Sequence, residues 1–415
     1  MSHRHAVFIL TGIVVGVLAG IVTGWVFGSD MVAVKWVGDL FLDALKMLII
    51  PLVVAAVVTG VASLGDIRRL GRLGGVTVAY YVVTSGIAVV TGLIVVNIIR
   101  PGAGLDIETA TAPADIAARE AGISDILGSL IHPNIVDAAA TGQFLPLILF
   151  SILLAAALTT VGKTGEHVIE FFNGINEAMM RLVIWLMYLA PIGIFALVAG
   201  RLGEAGGGAA FWAEIQSVGW YVATVLIGLA LHFIVLLAIL IMVAGQRPAY
   251  LVGMLRALFT AFGTASSSAT LPLTMECARE NGVDPRAIRF VLPLGSTVNM
   301  NGTALYEAVA VLFISQAYGL DLGFGQQVVV FLTATLAAVG AAGIPEAGLV
   351  MMVIVLNAVG LPLDGIGLIL TVDWFLDRFR TTVNVWGDAV GAAVVSRWVP
   401  DETPSPAQPA PAGAS

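Results

Sequence analysis

The sequence predicts an all-α polytopic membrane protein with eight transmembrane helices and two re-entrant helical hairpins set in inverted repeats. Composition is the first ground: 59% of residues are apolar, only 11% are charged, and the mean hydropathy is +0.98, far outside the soluble range. The second is a series of apolar runs each long enough to cross the ~30 Å hydrocarbon layer. The third is a change after residue 245, where small and polar clusters interrupt the apolar pattern in corresponding places.

The first run, residues 6–27, lacks a small-residue cleavage site and reads as a retained helix rather than a signal peptide. Further runs follow at 33–64, 76–98, 143–161, 167–199 and 211–244, giving six ordinary spans. His3, Arg4 and His5, then Arg68, Arg69 and Arg72, then Arg247 lie at the ends that the positive-inside rule assigns to the cytoplasm. Both termini are therefore expected inside, and the location is a plasma membrane, in a prokaryote the inner one. The connection 99–142 falls outside, and its Asp106, Glu108, Asp115, Glu120 and Asp125 read as a solvated acidic loop. The net charge of -8 says little by itself, since the acids collect in one loop and near helix ends, but the lack of a basic patch argues against a nucleic-acid partner. Cys277, alone, excludes an internal disulfide and reads as a packing residue. The proline- and alanine-rich tail 399–415 reads as a disordered cytoplasmic end.

The interruptions are GTASSSATLP at 263–272, NMNGT at 299–303 and GAAGIPEAG at 340–348. Non-helical backbone survives at membrane depth only where protein or a polar cavity surrounds it, because lipid offers no hydrogen bonds. Residues 248–281 are therefore a hairpin tipped by the serine cluster, followed by a helix over about 285–318. The plan repeats with a hairpin over about 325–361 tipped by GIPEAG, and a helix over about 364–397. Tandem broken segments of this kind flank a midplane binding site.

The last helix carries DWFLDRFRTTVNVWGD, residues 373–388, with three aspartates and two arginines. At helical spacing Asp373, Asp377, Arg380, Thr381, Asn384 and Asp388 fall within about 100° of one another, on one face. A polar stripe that merely holds helices together is the plain alternative, but buried charge in a bilayer is costly and marks a substrate or ion pathway. Arg380 offers a planar fork to a carboxylate, Asp377 pairs an ammonium, Asn384 donates and accepts, and Asp388 suits a hard cation. A ligand with a carboxylate at one end and an ammonium in the middle fits these partners: an acidic amino acid.

TASSSATLP, NMNGTALYEAVAVLFISQ, GAAGIPEAGLV and DWFLDRFRTTVNVWGD, with KMLIIPL at 46–52 and YYVVTS at 80–85, resemble the signature stretches of the glutamate transporter family, the dicarboxylate/amino acid:cation symporters. The resemblance implies a homotrimer in membrane lipid and an elevator mechanism. A scaffold would comprise 1–75 and 143–205. A moving transport domain would comprise 76–98 and 206–398, with the second hairpin as gate. It also implies sodium as coupling ion and no bound cofactor. By resemblance Asp377 takes the substrate ammonium, Arg380 its side-chain carboxylate, and Asn384 with Ser267 (beside Ser266) the α-carboxylate. Thr303, Thr381 and the backbone at Ile344 and Gly348 complete the pocket. One sodium site would use Asp388 with carbonyls of Gly295, Asn299 and Asn384. A second would use carbonyls of Thr297, Ala338, Val339 and Ala341. A third is implied at Tyr81, Thr84, Ser85, Asn299 and residue 301. There the family usually carries an aspartate in NMDGT and this chain has Asn301, so the third site is expected to be weak or empty.

Several residues keep two readings. Glu307 is either a proton-carrying carboxyl or a buried residue without a role. Arg378 either pairs Glu307 or supports the first hairpin. Glu346 reads as a solvated loop charge, Asp373 as a support of the pocket or a helix-end charge, and Trp374 and Trp386 as packing aromatics. An intramembrane aspartyl protease needs carboxylates facing each other across helices, whereas these acids line one helix with an arginine among them. A pure channel is disfavoured too. Carriers of C4-dicarboxylates or of neutral amino acids are the alternatives within the same fold, the first having no use for Asp377 and the second none for Arg380.

Overall fold

The computed structural model describes residues 3–62, 71–105, 131–141, 143–204, 208–340 and 347–398. The acidic residues 106–125, the tail from 399, and Ala341, Ile344, Pro345 and Glu346 at the second hairpin tip lie outside the described residues. Among the described residues all regular structure is helical. In order these are α1 (His3–Phe27), α2 (Lys35–Ala62), α3 (Gly71–Ile99), α4 (Ile135–Ala140), α5 (Phe144–Thr160), α6 (Lys163–Met187), α7 (Ala190–Glu204) and α8 (Gly208–Met242). Then come α9 (Ala249–Thr264), α10 (Ser267–Glu280), α11 (Pro285–Val298), α12 (Asn301–Ala317), α13 (Phe324–Gly340), α14 (Ala347–Ala358) and α15 (Ile366–Ser396). Three stretches, Thr11–Phe41, Leu73–Ile99 and Gln216–Met242, are long and apolar enough to cross a membrane by length and composition.

Two expected helices are broken. The run 167–199 is not one continuous helix: α6 ends at Met187 and α7 starts at Ala190, because Pro191 has no N–H to continue the ladder. The helix expected over 285–318 is likewise two, α11 and α12, separated at Asn299 (φ -112°, ψ 65°) and Met300 (φ -95°, ψ 64°). The connection 99–142 is not all loop either, since Asn134 caps α4 by accepting from the amides of Val136 and Asp137.

Packing falls into two groups. α1 lies along α7, and α2 packs against α5, α6 and α7. In the other group α15 packs against α8, α9, α11 and α12, while α3 lies along α12. The antiparallel pair α9/α10 sits on α15 and α11, and the pair α13/α14 sits on α12. Every residue of α12 is buried, so it is the central post of this second group. Contacts of α7 with α15, and of α2 with α13 and α14, join the groups.

The α1–α7 contact rests on Gly12, Gly16, Gly20 and Gly24, a period-four seam that faces Pro191, Val198 and Leu202. A Cβ at Gly16 would strike the Pro191 carbonyl, and one at Gly20 would lie 2.9 Å from Val198 Cβ. With no hydrophobic drive between helices in lipid, this close approach is what associates them. We predict that Gly16→Ala costs about 1–3 kcal/mol through overpacking. Gly174→Ala, where nothing lies within 4 Å, should be neutral or slightly stabilising. Thermal unfolding in detergent checks both; equal melting points for the two variants would reject the seam.

Candidate functional site

All six members of the α15 stripe are buried. Arg380 is fully enclosed, and its countercharges come from its own helix, one and two turns back. Nη2 donates to Asp377 Oδ1 at 2.8 Å, and Nη1 lies 2.9 Å from Asp373 Oδ1. One face of the guanidinium covers the Tyr306 ring, with Cζ 4.0 Å from the centroid. Gly348, in the first turn of α14, borders it as well: a Cβ there would be 2.5 Å from Nη1 and 3.0 Å from Cζ. Only glycine lets the second hairpin approach so closely. Asp373 is thereby a support of the Arg380 site rather than a helix-end charge.

Neighbouring stripe residues meet the break between α11 and α12. Asn384 Oδ1 accepts from the Gly302 amide at 2.7 Å, an orphan donor at the start of α12, and Asn384 Nδ2 donates to Thr303 Oγ1 at 3.2 Å. One turn further along α15, Asp388 Oδ1 accepts from Asn299 Nδ2 at 2.9 Å. Gly295 faces the same carboxylate: a Cβ there would lie 2.8 Å from Asp388 Cγ and 3.0 Å from the Tyr81 hydroxyl. The arrangement gathers one carboxylate beside the backbone that ends a helix, a donor set of oxygen atoms suited to a hard cation.

Of the third expected cluster, Thr84 and Ser85 meet Asn299 and Asn301, whereas the Tyr81 hydroxyl turns to backbone. Ser85 Oγ donates to Asn301 Oδ1 at 2.9 Å, Thr84 Oγ1 donates to Asn299 Oδ1 at 3.4 Å, and the Tyr81 hydroxyl donates to the Val291 carbonyl at 2.6 Å. Of the remaining expected ion ligands, Thr297 ends α11, and Ala338 and Val339 lie near the end of α13, which packs on α11. Ala341 falls outside the described residues, as does Ile344 of the pocket.

Ser266 lies in the turn between α9 and α10, and Ser267 opens α10. Ala265 there is left-handed (φ 49°), Ser266 is extended, and the Ser266 hydroxyl caps α10 by accepting from the Ala269 amide at 3.2 Å. Arg378 does not pair Glu307: its Nη1 donates to the carbonyls of Phe262 (3.1 Å) and Gly263 (2.9 Å), fastening the hairpin tip to α15. Such a contact satisfies the last carbonyls of α9 with a positive charge. Thr381 is buried beside Arg380 on α15. Glu307, on α12, is fully buried, and neither of its carboxyl oxygens has a hydrogen-bond partner among the described residues. Trp386 packs as expected, stacked on Phe233 with centroids 5.2 Å apart.

Sequence reasoning did not pick out Tyr306 beneath the guanidinium, nor Tyr80 and Tyr250, whose hydroxyls reach the backbone of α15. Tyrosine in an apolar helix carries no local signal of its partner. The only hint was Tyr306 standing next to Glu307 in a run otherwise free of large polar residues.

Residues 7–398 match the sodium:dicarboxylate symporter family. The chain is 40% identical to excitatory amino acid transporter 1 of Ambystoma tigrinum, over 86% of this chain and 76% of that protein. It is 38% identical to an excitatory amino acid transporter of Caenorhabditis elegans (88% and 82%) and 38% identical to human excitatory amino acid transporter 3 (87% and 78%). Buried charge along one helix, oxygen donors at a helix break and a family match over nearly the whole length converge: the chain belongs to the sodium:dicarboxylate symporter family.

Proposed function

We propose that the protein is a secondary active symporter that takes up acidic amino acids, L-glutamate or L-aspartate, coupled to sodium. The observation that carries this is Arg380, buried between Asp373 and Asp377. One cation facing two carboxyl groups can exchange Asp377 for a substrate carboxylate, and the released Asp377 then meets the substrate ammonium. Asn384, Thr303, Thr381 and the serines at the first hairpin tip would hold the α-carboxylate, with the Gly348 backbone closing the pocket. The names of the relatives, transporters of excitatory amino acids, support this choice of substrate.

The cation would bind at Asp388 with carbonyls of Gly295, Asn299 and Asn384, and a second at carbonyls of Thr297, Ala338, Val339 and Ala341. A second hairpin folded over substrate would complete this second site, so each ligand favours the closed state that the other needs. Eight spans, two hairpins, a scaffold of the α1, α2 and α5–α7 group and a transport domain of α3 and α8–α15, moving as an elevator, belong to the same proposal. So do a homotrimer in a plasma membrane and cytoplasmic termini. The grouping of helices around α2 and α15 supports the division.

The ionic balance bears on stoichiometry. An acidic amino acid enters with one net negative charge against an inside-negative potential, at about 2.3 kcal/mol per charge per 100 mV. Two sodium ions reverse that sign. At the third cluster Asn301 offers a carbonyl but no anion, and an unhydrated hard cation draws most of its compensation from carboxylate. Glu307, a buried carboxyl with no hydrogen-bond partner among the described residues, is the candidate proton carrier.

Proteoliposome uptake of aspartate, glutamate, succinate and alanine, each with and without sodium, tests the substrate class. Arg380→Ala should lose acidic amino acid uptake by roughly 100-fold or more, since the carboxylate loses its bidentate partner, while alanine is tolerated. Asp377→Asn should lose amino acids and spare succinate. Wild-type aspartate uptake by either variant would remove that residue from the site.

Glu307→Gln should give a carrier blind to an imposed proton gradient, because an amide carries no proton. A gradient response equal to that of the wild type would return Glu307 to a packing role.

Reversal potentials at several sodium gradients should yield fewer than three sodium ions per substrate, and Asn301→Asp should steepen the sodium dependence. A measured coupling of three in the unaltered protein would refute the assignment of a weak third site.

A further inference from the structure

Three of the residues flanking Asp388 on α15 are tied by side chains or backbone to three different elements. Trp386 Nε1 donates to the Phe233 carbonyl on α8 at 3.3 Å. The Tyr80 hydroxyl, from α3, donates to the Gly387 carbonyl at 2.8 Å, and the Tyr250 hydroxyl, from the first turn of α9, donates to the Ala389 carbonyl at 2.8 Å. Both tyrosines are buried, and the Tyr80 ring fills the space left open by Gly391, where a Cβ would lie 2.7 Å from its Cε1.

Carbonyls inside an α-helix already accept from the amide four residues on, so Gly387 and Ala389 do not need a second donor. The two hydroxyls act on what lies between them. Asp388, a buried carboxylate, stands between these two tied residues. The same bonds fix the roll of α15, and with it the aim of the carboxylate at Asn299 and Gly295.

We propose that Tyr80 and Tyr250 are positioning residues for cation binding at Asp388. They hold the carboxylate aimed at Asn299 and Gly295, and Tyr250 links the base of the first hairpin to the cation site. The proposal rests on the assignment of Asp388 as a sodium ligand. It gives the first hairpin two attachments to α15: Arg378 at the tip, and Tyr250 at the base behind the ion.

The test is a sodium titration of the purified full chain in detergent, at constant ionic strength with choline, read by tryptophan fluorescence and by thermal shift. Tyr80→Phe and Tyr250→Phe keep the rings and remove only the hydroxyls. Each should raise half-saturating sodium about three- to tenfold, the range expected for one hydrogen bond, with aspartate uptake at saturating sodium close to wild type. Ser217→Ala, which removes another buried hydroxyl–carbonyl bond, that to Pro101 at 2.7 Å, should leave the sodium midpoint where it was. A lowered melting point with an unmoved sodium midpoint in both tyrosine variants overturns the proposal, as does an equal midpoint shift in Ser217→Ala. Asp388→Asn, run alongside, separates the two levels. If it abolishes the sodium response while the tyrosine variants are unchanged, only the positioning role fails. If sodium binding survives Asp388→Asn, the ligand assignment and the positioning role fail together.

Discussion

A guanidinium buried in the apolar interior of a membrane protein must carry its compensation with it, and the arrangement around Arg380 follows from that requirement. Water is not there to solvate the charge, and lipid cannot. Two carboxylates on the same helix, an aromatic face and a glycine that lets backbone approach supply what water would have supplied. Because Asp377 and Asp373 lie three and seven residues before Arg380, the pairing is made within α15 as soon as the helix forms. The helices around it can then move or open without exposing an unpaired charge. A substrate that brings its own carboxylate and ammonium exchanges ion pairs rather than creating them.

The same rule explains where the backbone is irregular. Met300 and Asn299 leave helical geometry where Asn384 meets the Gly302 amide and where Asp388, Thr84 and Ser85 hold the side chains of Asn299 and Asn301, and the turn at Ala265–Ser266 is closed by its own serine cap and by Arg378. Each of these two interruptions is therefore paired with a polar residue on α15 or α3. That pairing explains why polar clusters distant in sequence converge on one helix, and why α12, hemmed in on every side, carries the only fully buried glutamate among the described residues.

Much of this was legible in the sequence because it is written in local chemistry. A helical face of six polar residues, the serine run and the proline-glycine tip are each visible within sixteen residues. Boundaries of the long helices followed from apolar length. What escaped was relational. Pro191 breaks a run that looks continuous because its neighbours are all apolar. The α11–α12 break was visible as NMNGT yet was absorbed into one helix, since nothing in the pattern says that two residues leave helical geometry while their neighbours keep it. The partners of Tyr80, Tyr250 and Arg378 lie 115 to 307 residues away in the chain, and no periodicity encodes them.

The glycine seam of α1 has a consequence for how the chain is made. α1 leaves the ribosome long before α7 exists, so its notched face waits against acyl chains, which fill the groove and must be expelled when α7 arrives. Closing that seam is a late event in synthesis, and it ties the fate of the first helix to completion of the seventh.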